Sequence, residues 1–331
     1  MGEETIPRPG TRRRFPRAVL GFLAAVSVAA ALLFARGPET DLGRLRESAD
    51  DALRRDDCRS AVAHLSRILE RDSGDVVVRS RLAGCYQRIG RYGDAERELI
   101  RAVREDPSAS NYFELADVRI TLGRRVAAWE AIETGAKVAR TLGETVHASF
   151  MARRAGDPRL AKKILDEVPE PNRDDRWLAE HAAAAHQAGD PSYEERYAAA
   201  IDAAPDARRP RLLVELGDAR RDRGRMQEAL EAYAAVSTGH PGIDYQYVNT
   251  QIGDIHLLLD RPLAAADAYQ AAIETAAPTS STAGTQLSLA RALAKGGPTD
   301  RARSVLRSLL ASRTLDPGIR AEADALLRAI G

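Results

Sequence analysis

Small residues recur along this chain at the step of one helical hairpin: Ala49, Ala83, Ala116, Ser149, Ala182, Gly217, Gly253 and Ala290 lie 33 to 37 residues apart. A second series, Ala61, Ala95, Ala128, Ala161, Ala229, Ala265 and Ala302, follows twelve residues behind, with one member replaced near Glu194 and Glu195. Two small residues per period mark two helices that touch, because antiparallel helices at ordinary spacing need small side chains where they cross and large ones beside the crossing. The large ones are Leu65, Leu99, Ile132, Leu165, Tyr233, Tyr269 and Leu306, each one helical turn after a member of the second series. Between the two runs stands a glycine in most periods (Gly90, Gly123, Gly156, Gly224, Gly297), a residue free to take the positive φ that ends a helix.

The best-formed copies read Leu82, Ala83, Tyr86, Gly90, Tyr92, Ala95, Leu99, Ala102, Pro107 and Leu216, Gly217, Gly224, Ala229, Tyr233, Val236, Pro241. This pattern resembles the tetratricopeptide repeat, a 34-residue helix-turn-helix unit. The resemblance implies an all-α, right-handed solenoid of about eight hairpins, starting near Leu42, Val76, Ala109, Leu142, Asp175, Pro210, Gln246 and Ala283. It covers about residues 42–316, with a weak centre at about 142–208, where Pro158 and the run Val168-Pro-Glu-Pro-Asn-Arg-Asp-Asp interrupt the pattern. Prolines 169 and 171 mark a candidate hinge there. Residues 317–331 read as a capping helix, with Ile319, Ala323, Leu326, Leu327 and Ile330 on its apolar stripe.

Composition agrees. Aromatic residues are 5% of the chain, alternating strand-like runs are missing, and a formal charge of +1 argues against nucleic acid as a partner, since phosphate binding needs a basic surface. The arginine and alanine excess fits a GC-rich bacterial genome.

Residues 18–35 form eighteen uncharged, apolar positions, about 27 Å of helix, close to the hydrocarbon thickness of a bilayer. Arg8, Arg12, Arg13, Arg14 and Arg17 precede this run. The positive-inside bias then leaves residues 1–17 as a basic cytoplasmic tail, and the short linker 36–41 leads to repeats on the extracytoplasmic face. The expectation is a single-pass signal anchor in the bacterial cytoplasmic membrane. A cleaved signal, with Ala29-Ala30-Ala31 as its small-x-small site, stays open.

No catalytic, cofactor or metal signature stands out. His181 and His186 are five apart, on different helix faces, and no nucleophile elbow, phosphate loop or dinucleotide fingerprint occurs. The chain therefore reads as a non-enzyme that needs no cofactor. What remains is surface. The resemblance implies that the first helix of each unit lines a concave groove, with the position after the small residue facing into it; there stand Asp50, Asp117, Asp218 and Asp254. Arg46, Gln87, Arg153, His186 and Arg221 lie a turn away. Such a row favours a basic or amide-rich peptide. The chaperone-type carboxylate clamp, which needs Lys and Asn at fixed positions, is not found. Trp129 and Trp177 read as space-filling residues between helices. Cys58 and Cys85 fall toward the same end of adjacent antiparallel helices, so a disulfide and a pair of small buried thiols are both open readings. The function expected is a membrane-anchored scaffold for an envelope or exported protein. A self-assembling solenoid, or a soluble exported repeat protein released by signal cleavage, is the alternative, and the oligomeric state is left open.

Overall fold

The computed structural model describes residues 38–236, 238–277 and 281–331, and every structural statement below concerns these. The apolar run 18–35 and its basic flank lie outside them. Among the described residues no helix is long and apolar enough to cross a membrane. Seventeen α-helices and no strand occur among them. They fall into two compact units that divide after Val138.

The first unit holds three hairpins: α1 (Pro38–Arg54) with α2 (Cys58–Arg71), α3 (Val76–Arg88) with α4 (Tyr92–Glu105), and α5 (Ala109–Thr121) with α6 (Arg125–Val138). Helix α1 covers Pro38–Arg54, so residues 38–41 of the expected linker are helical. Each helix packs on the next, and Asp57 and Asp75 cap α2 and α3 by accepting from the amides of Ser60 (3.1 Å) and Val78 (3.0 Å). Arg79, buried in α3, pairs with Glu98 at 2.8 Å and Glu105 at 3.1 Å of α4. Trp129 is half-buried on α6.

The second unit continues with α7 (Leu142–Arg154) and α8 (Pro158–Asp166), α9 (Asp175–Ala188) and α10 (Tyr193–Ala203), α11 (Arg209–Asp222) and α12 (Met226–Ala234), α13 (Tyr245–Leu258) and α14 (Pro262–Thr275), α15 (Ala283–Gly296) and α16 (Thr299–Leu310), and the last helix α17 (Pro317–Ala329). The weak centre thus folds into two hairpins. Helix α8 is short, and the proline run after it makes one 3₁₀ turn, Glu170–Asn172. Trp177 secures that loop: its indole N–H donates to the Leu165 carbonyl at 3.1 Å, and the Arg173 guanidinium lies 4.4 Å from its ring centroid. The loop is therefore tied to both flanking helices. Ala323 of α17 is fully buried against Leu287, Ala290, Leu306 and Leu309, with Ile319, Leu326 and Leu327 packed around it.

Every alanine of both series is buried, as are Ser149, Gly217 and Gly253. Where the second series lacks its alanine, α10 buries Tyr193 and Tyr197 instead, their rings edge to face at 6.5 Å, and Glu194 turns outward to pair with Arg220 and Arg225.

All eight hairpin turns place one residue in the left-handed region. Six use glycine (Gly90, Gly123, Gly156, Gly189, Gly224, Gly297), and two use Asp56 (φ 61°) and Asp260 (φ 55°). Gly189 was not among the turn glycines read from sequence. At Gly156, φ is +84° and a Cβ would meet nothing within 4 Å, so replacing it isolates backbone strain. Gly156→Ala is expected to destabilise by about 1 kcal/mol, and Gly156→Asn by less than half of that, because a short polar side chain tolerates this conformation as Asp56 and Asp260 do. Urea unfolding of the two variants checks the order; equal losses would show that the strain is not conformational.

Candidate protein-binding groove

A groove of about 510 Å³ lies within the second unit, bounded by three first helices, α7, α9 and α11. These alternate helices touch, α7 with α9 and α9 with α11, while α8 and α10 lie behind them. Side chains at helical spacing therefore reach the same trough from each: Val146, Phe150 and Arg153 from α7, Ala179, Glu180, Ala183 and His186 from α9, and Arg211, Leu212, Glu215 and Asp218 from α11. Tyr197 of α10 closes it from below.

A buried ion pair organises the floor. Arg153 donates from Nε to Glu180 Oε1 at 2.7 Å and from its second nitrogen to Oε2 at 2.8 Å, and Ser149 Oγ adds a donation to Oε1 at 3.0 Å. Burial alone would weaken the guanidinium's hold on its proton, but the hydrogen bonds and charge of Glu180 outweigh it and keep the arginine pKa raised. Above the floor, the Phe150 ring is 45% exposed, with the Arg153 guanidinium 5.8 Å from its centroid. The ring stands beside Val146 and stacks on the His147 imidazole, with 6.3 Å between ring centroids.

Across the groove, burial pushes the Glu215 carboxyl above the usual carboxylate range, opposed by Arg211, whose Nε lies 3.2 Å from Oε1. Burial likewise raises the Tyr197 hydroxyl and lowers the His186 imidazole, the latter against Asp222 at 3.5 Å. The Nδ1 of His186 is buried without a hydrogen-bond partner.

The structure redistributes the acidic row. Asp218 accepts from the hydroxyls of Tyr233 at 2.6 Å and Tyr247 at 2.7 Å, and Arg221 stands 3.6 Å away. Asp254 accepts from Tyr269 at 2.7 Å. In the first unit, Asp50 pairs with Arg81 at 2.9 Å and Arg46 with Asp75 at 2.9 Å, beside a smaller cleft of about 270 Å³. Asp117 and Gln87 are half-buried on α5 and α3. The acids of the row that have described partners are thus taken up by the chain itself, and much of the charge offered to a ligand is lower than the sequence suggests. Of the residues named from sequence, Arg153, His186 and Asp218 come together in the groove. Phe150, Glu180, Arg211, Leu212 and Glu215 were missed. Phe150 and Glu180 sit in the repeats that match the pattern least, a departure that was the available signal for them, whereas Arg211, Leu212 and Glu215 sit in one of the best-formed repeats and carried no such signal.

Chemically, the groove offers an apolar anchor framed by charges of both signs. No group of three His, Cys, Asp or Glu residues placed to hold a metal is found among the described residues.

Paired helices stacked in sequence, with first helices side by side over a trough, define a helical-hairpin repeat protein. Residues 52–118 match the family model described as tetratricopeptide repeat. A crystal structure of a tetratricopeptide repeat protein from Parabacteroides merdae is similar over 77% of this chain and 99% of that one, with a TM-score of 0.54 at 16% identity. At that identity the likeness speaks for the fold. The C-terminal part of a TPR repeat-containing protein from Cytophaga hutchinsonii aligns over 84% of this chain and 98% of its own, at 13% identity and a TM-score of 0.47. No curated protein matches the chain in sequence.

Proposed function

We propose that the chain is a membrane-anchored scaffold on the extracytoplasmic face, and that the groove across α7, α9 and α11 docks a segment of another envelope or exported protein. The groove carries this reading: Phe150 is exposed at its mouth, and the Arg153–Glu180 pair makes its floor rigid. An apolar side chain of the partner would cover Phe150 beside Val146, and a lysine or arginine next to it would meet Glu215. The anchor rests on the apolar run 18–35 and its arginine flank, which put the repeats outside if the positive-inside bias holds.

The test is cross-linking of the full chain in membranes, followed by mass spectrometry of what travels with it. Removing an aromatic anchor at the centre of an interface costs about 2 kcal/mol or more. Phe150→Ala is therefore expected to lower affinity for the recovered partner at least tenfold, and Glu215→Arg to weaken it through repulsion with the partner's cation. Undiminished capture by both variants would remove the groove from consideration. Protease added to spheroplasts is expected to digest the repeats; protection of the C-terminal portion would overturn the topology. Light scattering of the solubilised chain as a stable oligomer would favour self-assembly instead.

A further inference from the structure

The only two cysteines of the chain stand against each other across the boundary between its first two described hairpins. Cys58 is the first residue of α2, and Cys85 lies in the last turn of α3. The two helices pack together and run in opposite directions, so the start of one meets the end of the other. Both are free thiols in the structure and both are buried, Cys58 at 5% exposure and Cys85 at 1%, in one cluster with Ala49, Ala52, Ala61 and Leu82. The cluster provides apolar walls and no third metal ligand, so a metal site does not explain the pairing.

We propose that Cys58 and Cys85 form a disulfide that fastens the first hairpin to the second. Each thiol is the other's polar neighbour: burial, and then the hydrogen bond and charge of Cys58, push the Cys85 thiol up to about 12. A thiol in that state reacts slowly once folded, because the thiolate is the attacking species. The bond therefore forms while the hairpins are docking, by exchange with a small-molecule or protein disulfide. Cys58, the more exposed of the two, attacks one sulfur of that oxidant and releases the other as a thiol. Cys85 then attacks Cys58 Sγ, forming the intrachain bond and releasing the second thiol. The two protein thiol protons end on the oxidant's two reduced sulfurs, and two electrons pass to it.

The placement has a mechanical consequence. In a repeat array each unit is held by its neighbours, and the hairpin at an edge of the array has the fewest of them. Cys58 and Cys85 are 27 positions apart, and closing a loop of that size restricts the unfolded chain substantially. The bond would hold the first described hairpin to the second without contributing to the groove, and this inference stands independently of the groove reading.

The experiment refolds the full chain in detergent from urea, once with reduced and once with oxidised glutathione, then denatures it and alkylates free thiols. With oxidised glutathione the expected product carries no alkyl adduct, is two hydrogens lighter, and yields a linked Cys58–Cys85 peptide on proteolysis. Its thermal midpoint is expected to rise by at least about 5 °C over the reduced form. The Cys58→Ser and Cys85→Ala variants are expected to lose that redox dependence. Glutathione adducts on either cysteine, intermolecular dimers, or two alkylated thiols in a folded oxidised sample would each overturn the proposal.

Discussion

Replacing Arg153 by alanine is expected to destabilise the second unit by about 3 kcal/mol or more, the largest loss of any single polar substitution near the groove. The reason lies in Glu180. With both side chains at or below 15% exposure, the carboxylate is out of water, and removing the guanidinium leaves it with Ser149 as its remaining described donor. An uncompensated buried charge costs far more than an exposed pair contributes, since exposed pairs are worth about 0–1 kcal/mol. Arg153→Lys should recover only part of the loss, because an ammonium cannot donate to both oxygens in the fork geometry seen here. Arg153→Met combined with Glu180→Leu should recover most of it, since neither charge is then stranded. Urea unfolding of the full chain followed by tryptophan fluorescence reports the effect, because Trp177 lies in the same helix as Glu180. A loss below about 1 kcal/mol for Arg153→Ala would mean that solvent reaches the pair. The double variant also separates roles: it should keep its stability while weakening partner capture, which distinguishes a floor that shapes the groove from one that only holds helices together.

Why this pair escaped a reading of the sequence is instructive. The hairpins were legible because a helix crossing demands a small residue at a fixed place, so the demand repeats with the unit. Contacts between consecutive first helices repeat too, but at a step that no single unit shows. Ser149 meets Glu180, Asp50 meets Arg81, Ser80 meets Asn111 and Arg291 meets Glu322, each pair 31 positions apart. A row of aspartates looks free until the residues 31 ahead, or 15 ahead as for Asp218 with Tyr233 and Asp254 with Tyr269, are set beside it. The charges could be read from the chain. Their partners depend on which helices lie side by side. The groove itself was hidden for a related reason: Phe150 and Glu215 belong to positions where the repeat pattern prescribes nothing, so only the packing of α7, α9 and α11 reveals that they share a trough.

The same logic yields a prediction about the core. Sixteen residues after every small residue of the first series except Ala182, which is followed by Ala198, stands a large partner, and the two sizes compensate: Ala49 is matched by Leu65, Ala83 by Leu99, Ala116 by Ile132, Ser149 by Leu165 and Ala290 by Leu306, whereas Gly217 is matched by Tyr233 and Gly253 by Tyr269. A Cβ on Gly253 would stand 2.6 Å from Tyr269 Cε1 and 2.7 Å from Cδ1, contacts that real side chains do not make. The ring cannot swing aside cheaply, because it is fully buried and its hydroxyl is held by Asp254 at 2.7 Å. Gly253→Ala would gain about 1 kcal/mol of helix propensity, yet overpacking costs about 1–3 kcal/mol and loosening the tyrosine hydrogen bond about 1 more. Sterics win, and the net expectation is a loss of about 2 kcal/mol. Tyr269→Leu alone should also destabilise, by opening a void beside the glycine and stranding Asp254. Combining the two rebuilds the alanine–leucine pairing of the other hairpins, so the double variant should be more stable than the sum of the single losses implies by at least about 1 kcal/mol. Denaturant unfolding of the four proteins closes this cycle. Additivity within about 0.5 kcal/mol would show that glycine and tyrosine are independent choices, and the size rule that builds each hairpin would fail with it.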